Sequence, residues 1–159
     1  VQPAASPTPP PPSRSKAEED PPFCLGSQSQ GEEQTLASLM DLVKEGVFIA
    51  QALVRRGGSC SRSLSCLAAD HRRALRQLSA AYFLITGQRY HPPTPSVVIN
   101  ASLPLALRDQ FVWEQRWERA NQQAAETTSD ACLKELYQEL AQDGVLHAAT
   151  IRSLLEQMG

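Results

Sequence analysis

The chain has 159 residues, 42% of them hydrophobic, which suits one domain with one helical core and a flexible extension, and no second domain needs to be invoked. Its 15 Lys and Arg nearly balance 17 Asp and Glu, and Arg55-Arg56 and Arg72-Arg73 are the only short basic clusters, so nucleic acid and membrane surfaces are excluded as expected partners. No apolar run reaches the roughly 20 residues needed to span a bilayer, and the first residues lack an apolar signal-peptide core. The expected compartment is the cytoplasm, although a chain starting at Val1 leaves a cleaved signal open.

Residues 1–22 are rich in Pro, Ser and Ala, with Pro9 to Pro12 consecutive. This composition predicts a disordered or polyproline II tail, a solvated spacer or a ligand for a proline-binding partner that the sequence does not identify. Phe23-Cys24-Leu25-Gly26 is the first apolar cluster and a candidate for pinning the tail to the domain that follows.

Four amphipathic helices are expected, at about 33–56, 61–86, 104–127 and 131–158. Stepping three and four residues, the first places Leu36, Leu39, Met40, Val43, Val47, Ala50 and Val54 inward and ends at Gly57-Gly58. The second places Leu64, Leu67, His71, Ala74, Leu78, Tyr82 and Ile85 inward and stops at Gly87. Gln88 to Leu103 contains Pro92, Pro93 and Pro95 and then Val97-Val98-Ile99. It is therefore an extended crossover that returns along the bundle and makes the second and third helices parallel.

The third helix opens at Pro104 and carries Leu107, Phe111, Glu114, Glu118 and Ala125 on one stripe, with Trp113 and Trp117 beside it. Asp130 caps the fourth, whose stripe is Leu133, Leu136, Tyr137, Leu140, Gly144, His147, Ile151, Leu154 and Met158. Both His71 and His147 thus fall in the middle of apolar faces. Asp70 and Asp143 are expected to point outward, and His91 and the sequon Asn100-Ala-Ser102 read as loop. Cys24, Cys60, Cys66 and Cys132 show no Cys-x-x-Cys spacing. They are expected to be reduced structural thiols, with a disulfide from Cys24 to a distant partner as the alternative.

These segments resemble the ferritin-like superfamily, and within it the rubrerythrin-type domains of anaerobic bacteria. The resemblance rests on Ala68-Ala-Asp-His-Arg-Arg-Ala-Leu75, Tyr82-Phe-Leu-Ile-Thr-Gly87, Phe111-Val-Trp-Glu114, Ala124-Ala-Glu-Thr-Thr128, Cys132-Leu-Lys-Glu-Leu136 and Leu140-Ala-Gln-Asp-Gly-Val-Leu-His147. It covers 23–159 and implies an all-α ferritin-like four-helix bundle with a long crossover between helices two and three.

The family pattern implies a glutamate on each of helices one and three and Glu-x-x-His on each of helices two and four. In such a motif residues three apart share one helical face and one metal. Carried onto this chain, the six places are Val43, His71 with Ala74, Glu114, and Gly144 with His147. Only Glu114 and His147 match. Glu45, the carboxylate nearest Val43, points elsewhere on its helix. The family's dinuclear peroxide or ferrous-iron chemistry is therefore not expected, and the paired Cys-x-x-Cys electron-transfer module of full-length rubrerythrins is absent from the sequence.

The expected role is a non-enzymatic structural or interaction protein without a cofactor, in which Glu114 accepts hydrogen bonds from the imidazoles. A homodimer through the helix faces is compatible with this role. The alternative is one iron, zinc or manganese ion held by His71, Glu114 and His147. Trp113 and Trp117 are expected in the core or at a subunit interface rather than in a ligand box.

Overall fold

Two of the four helices open on a side-chain cap, and the second helix ends on a left-handed glycine. In the computed structural model, which describes residues 24–159, the four are α1 (Glu33–Arg56), α2 (Ser61–Thr86), α3 (Leu103–Thr127) and α4 (Ala131–Met158). The predicted tail over 1–22 lies outside the described residues. Gly87 ends α2 with a left-handed φ of 75°, a conformation that glycine adopts without a Cβ penalty, and its N–H reaches Phe83 O at 2.8 Å. Pro104 sits in the first turn of α3. Asp130 Oδ1 caps α4 by accepting from Leu133 N at 2.9 Å.

α1 ends at the expected Gly57-Gly58 cap, with the left-handed conformation at the second glycine. Gly57 stays helical with φ −75°, and Gly58 takes the positive φ of 52° and opens a 3-10 turn over Gly58–Cys60 that leads directly into α2. The tightness of this corner explains a glycine at 57, since a Cβ there would meet Leu64 Cδ1 at 2.9 Å and Leu53 O at 3.0 Å.

α1 packs along α2 and α3 along α4, with looser α1/α3 and α2/α4 contacts completing a four-helix bundle. The crossover follows α1. Tyr90 Oη donates to Asp41 Oδ1 at 2.7 Å, Lys44 Nζ donates to Pro92 O at 2.7 Å, and the Arg56 guanidinium donates to Asn100 O and Ala101 O, both at 2.5 Å. The chain is thus returned to the end of the bundle where α1 finishes, and α3 runs in the same direction as α2, as the crossover length predicted. Val97-Val98-Ile99 pairs with no strand, and the described residues contain none.

Two apolar clusters fill the interior. One joins the start of α1, the end of α2, the end of α3 and the start of α4 around Trp117, Tyr137, Leu36 and Leu78. The other joins the opposite ends around Leu53, Leu64, Leu107 and Ile151. Each of these fully buried large apolar chains contributes roughly 1.5–3 kcal/mol through loss of contact with water. The predicted α2 stripe is the inward one, except that Tyr82 is half-buried. In α1 Leu53 is buried in place of Val54, and in α4 Leu136 is half-buried and Met158 exposed.

The α3 stripe is rotated from the expected one. Gln110, Trp113, Trp117 and Asn121 join Leu107 and Glu114 inside, while Phe111 and Glu118 are only half-buried. From Leu107 a step of three or four residues both remain on the helix face, and the two indoles, whose area is better buried, decide the rotation. The expected core placement of both tryptophans holds; they stack with ring centroids 5.9 Å apart.

The expectation of four reduced thiols is overturned for one pair: Cys24 and Cys132 form a disulfide across a sequence separation of 108 residues. Cys60 is free and buried, and Cys66 is free and exposed. The bridge brings the segment before α1 onto the start of α4. There Asp130 Oδ2 accepts from Leu25 N at 2.7 Å and from Ser29 Oγ at 2.5 Å. Burial works to raise the Asp130 pKa, but the bonds from Ser29, Leu133 and Leu25 hold it below the ordinary carboxylate value. No described helix is long and apolar enough to cross a membrane.

Candidate functional site

Between the two apolar clusters lies a buried polar group contributed by three helices: His71 from α2, Gln110 and Glu114 from α3, and His147 from α4. Glu114 is 0% exposed, so its carboxylate depends wholly on protein donors. His71 Nε2 lies 2.6 Å and Gln110 Nε2 2.7 Å from its Oε2, and His147 Nδ1 lies 3.1 Å from its Oε1. The predicted trio of His71, Glu114 and His147 is therefore brought together, with one possible ligand atom from each within 4.8 Å of the others.

The electrostatics follow from the pairing. Burial pushes the Glu114 carboxyl up, yet hydrogen bonds from His147 and His71, with the positive charge they bring, hold it below its ordinary value. Glu114 is thus a carboxylate, an acceptor only, and the His71 and Gln110 nitrogens facing it are donors. His147 has a carboxylate oxygen at each ring nitrogen, because its Nε2 lies 2.8 Å from Asp70 Oδ2. Burial lowers the His147 pKa, but Glu114 and Asp70 outweigh it and the net shift is upward. Two carboxylate acceptors require two N–H donors, which is the imidazolium form.

Asp70 corrects the expectation that it is ordinary outward charge. It is 37% exposed, within reach of Arg73 at 3.6 Å, but its second oxygen closes the network from the solvent side. Asp143 is only partly buried, and burial first, with the nearby Asp70 charge, pushes its pKa up against the opposing pull of His147 and Arg73. Gln110 was not singled out in the sequence. The signal was its place four residues before Glu114, where helical spacing puts the two side chains on one face.

Aromatic rings form the walls. His71 meets Trp113 edge-on at a centroid distance of 5.0 Å and His147 at 4.9 Å. Trp113 lies flat over Gly46 of α1, where any Cβ would overlap the indole. Its Nε1 donates to Glu45 Oε1 at 3.0 Å, and Arg116 pairs with the same oxygen at 3.7 Å. Glu45 therefore serves the Trp113 indole on the half-exposed side of α1 and makes no contact with the histidines.

The remaining three positions hold no metal-ligating side chain. Val43 and Ala74 are buried apolar residues. At Gly144 a Cβ would lie 3.1 Å from Glu114 O, 3.1 Å from Glu118 Cβ and 3.2 Å from Glu118 N. Helix α4 is seated closely on α3 there, so any side chain at 144 would require the neighbouring α3 backbone to shift by a few tenths of an ångström. A dinuclear metal centre does not fit these residues, because its ligands have no counterparts at Val43, Ala74 and Gly144.

No known protein family, curated protein or solved structure matches the chain.

Proposed function

We propose that the chain is a ferritin-like, rubrerythrin-type bundle whose dinuclear metal site has been replaced by a metal-free hydrogen-bonded cluster, and that it acts as a structural or interaction protein rather than an oxidoreductase. The observation that carries this reading is the bonding of His147, with one ring nitrogen on Glu114 and the other on Asp70. A metal would have to displace the protons of His147 Nδ1 and His71 Nε2 that face Glu114, so the two imidazoles and the one carboxylate could ligate it only by giving up two charge-assisted bonds. The helix faces offer surface for a homodimer, and the partner of the proline-rich segment is left to experiment. The Cys24–Cys132 disulfide favours an oxidising compartment over the cytoplasm.

A second reading rests on the convergence of His71, Glu114 and His147, a set suited to a single iron, zinc or manganese ion. Elemental analysis separates the two. The protein is loaded with ferrous iron, zinc or manganese, desalted and assayed beside His147→Ala. Retention of no metal, with a melting temperature indifferent to chelator, is expected of the metal-free cluster. About one metal per chain that disappears in His147→Ala would replace it with the mononuclear site.

A further inference from the structure

We propose that the cleft between α1, α2 and the first residues of the crossover binds a small amphipathic anion, a phosphate, sulfate or carboxylate carried on a ring-sized apolar body. The cleft has a volume of about 430 Å³, within the usual range for small-molecule sites. Its charged lining is all of one sign: Lys44, Arg76 and Arg89, with His91 at the edge and no carboxylate. This is a local excess of cations on a chain whose formal net charge is −2. Among the described residues none of the three pairs with a carboxylate within 4.0 Å. Asp41 is close by, and its Oδ1 is taken by the Tyr90 hydroxyl at 2.7 Å.

Two of the cations are fixed by other contacts. Lys44 Nζ is held by Pro92 O at 2.7 Å, and the Arg89 guanidinium lies 4.4 Å over the Phe83 ring. Holding them in place before a ligand arrives reduces the ordering cost of binding. The floor is apolar, made by the buried Met40 and half-buried Leu75 and Pro92, with the Tyr90 ring at the wall. An anion alone would leave that floor wet, and an uncharged ring would leave three cations unpaired. A ligand with both parts satisfies the whole surface. The proposal does not depend on how the histidine cluster is read.

Calorimetric titration with naphthyl phosphate tests it, with naphthol and inorganic phosphate as the two halves of the probe. Naphthyl phosphate is expected to bind one site at least about tenfold more tightly than either half, and more weakly as salt is added. Arg76→Gln and Arg89→Gln should each weaken it about tenfold, whereas Arg108→Gln on the exposed start of α3 should not. Arg76 and Arg89 are exposed, so the fold should survive their replacement, which thermal melting verifies. Equal affinity for naphthol and its phosphate, affinities unchanged in both variants, or no binding at all would each overturn the proposal.

Discussion

Replacing Gly144 by alanine tests directly whether α4 is seated on the backbone of α3. In an unobstructed helix this change stabilises by about 1 kcal/mol, because glycine loses more backbone entropy on folding. Here the added Cβ would face Glu114 O and Glu118 Cβ at 3.1 Å and Glu118 N at 3.2 Å, against roughly 3.5–4.0 Å for a favourable carbon contact. Two of those atoms are α3 backbone, so relief requires the helices to separate. Overpacking of this kind costs about 1–3 kcal/mol. Set against the propensity gain it leaves Gly144→Ala less stable by about 1 kcal/mol, a fall of roughly 3–5 °C in Tm. Gly144→Glu would place a carboxylate in the same gap and should lose about 3 kcal/mol or more. Urea and thermal denaturation followed by circular dichroism give both values. Gly31→Ala is the control, since a Cβ there has nothing within 4 Å. A Gly144→Ala protein more stable than its parent would refute the close approach, and with it the argument that a side chain at that position strains the seating of α4 on α3.

Three further outcomes are expected. Stability should be greatest in the mildly acidic window between the ordinary values 4.5 of Glu114 and 6.5 of His147, and should fall on either side of it. Glu114 is held below its ordinary 4.5, so its contribution is present above that value and is lost as pH falls through the folded pKa; His147 is raised above 6.5, so its contribution is full below that value and is lost as pH rises through the folded pKa. Denaturation midpoints across the range should therefore trace a plateau, and His147→Gln should flatten its alkaline limb; an unchanged limb would remove His147 as its cause. Cys24→Ser should lower unfolding stability by about 2–4 kcal/mol, because the bridge closes a long loop in the unfolded chain; a reductant that shifts the parent but not the variant confirms the assignment, and equal shifts in both would reject it. Asp130→Ala should cost about 2 kcal/mol, since it removes a helix cap together with the acceptor of Leu25 N and Ser29 Oγ; a loss under about 0.5 kcal/mol would mean that those bonds are exchanged for water at no cost.

The sequence alone determined the four helices and the crossover, because these depend on local signals. Stripes such as Leu64, Leu67, His71, Ala74 and Leu78 repeat at helical spacing, Gly87 supplies a left-handed stop, Asp130 supplies a cap, and three prolines forbid a helix after Gln88. The same stripes placed His71, Glu114 and His147 at matching depth in the bundle. Tertiary structure decided what periodicity cannot encode. A step of three or four residues from Leu107 is equally helical, so the inward place of Gln110 followed from how the Trp113 and Trp117 rings fill the interior. Asp70 reads as a surface charge until α4 brings His147 beside it. The pairing of Cys24 with Cys132 needs the segment before α1 to be folded back onto the start of α4. Gly144 is one more small residue in an apolar stripe until α3 lies against it, because closeness between helices is a property of two surfaces and is not written on either one.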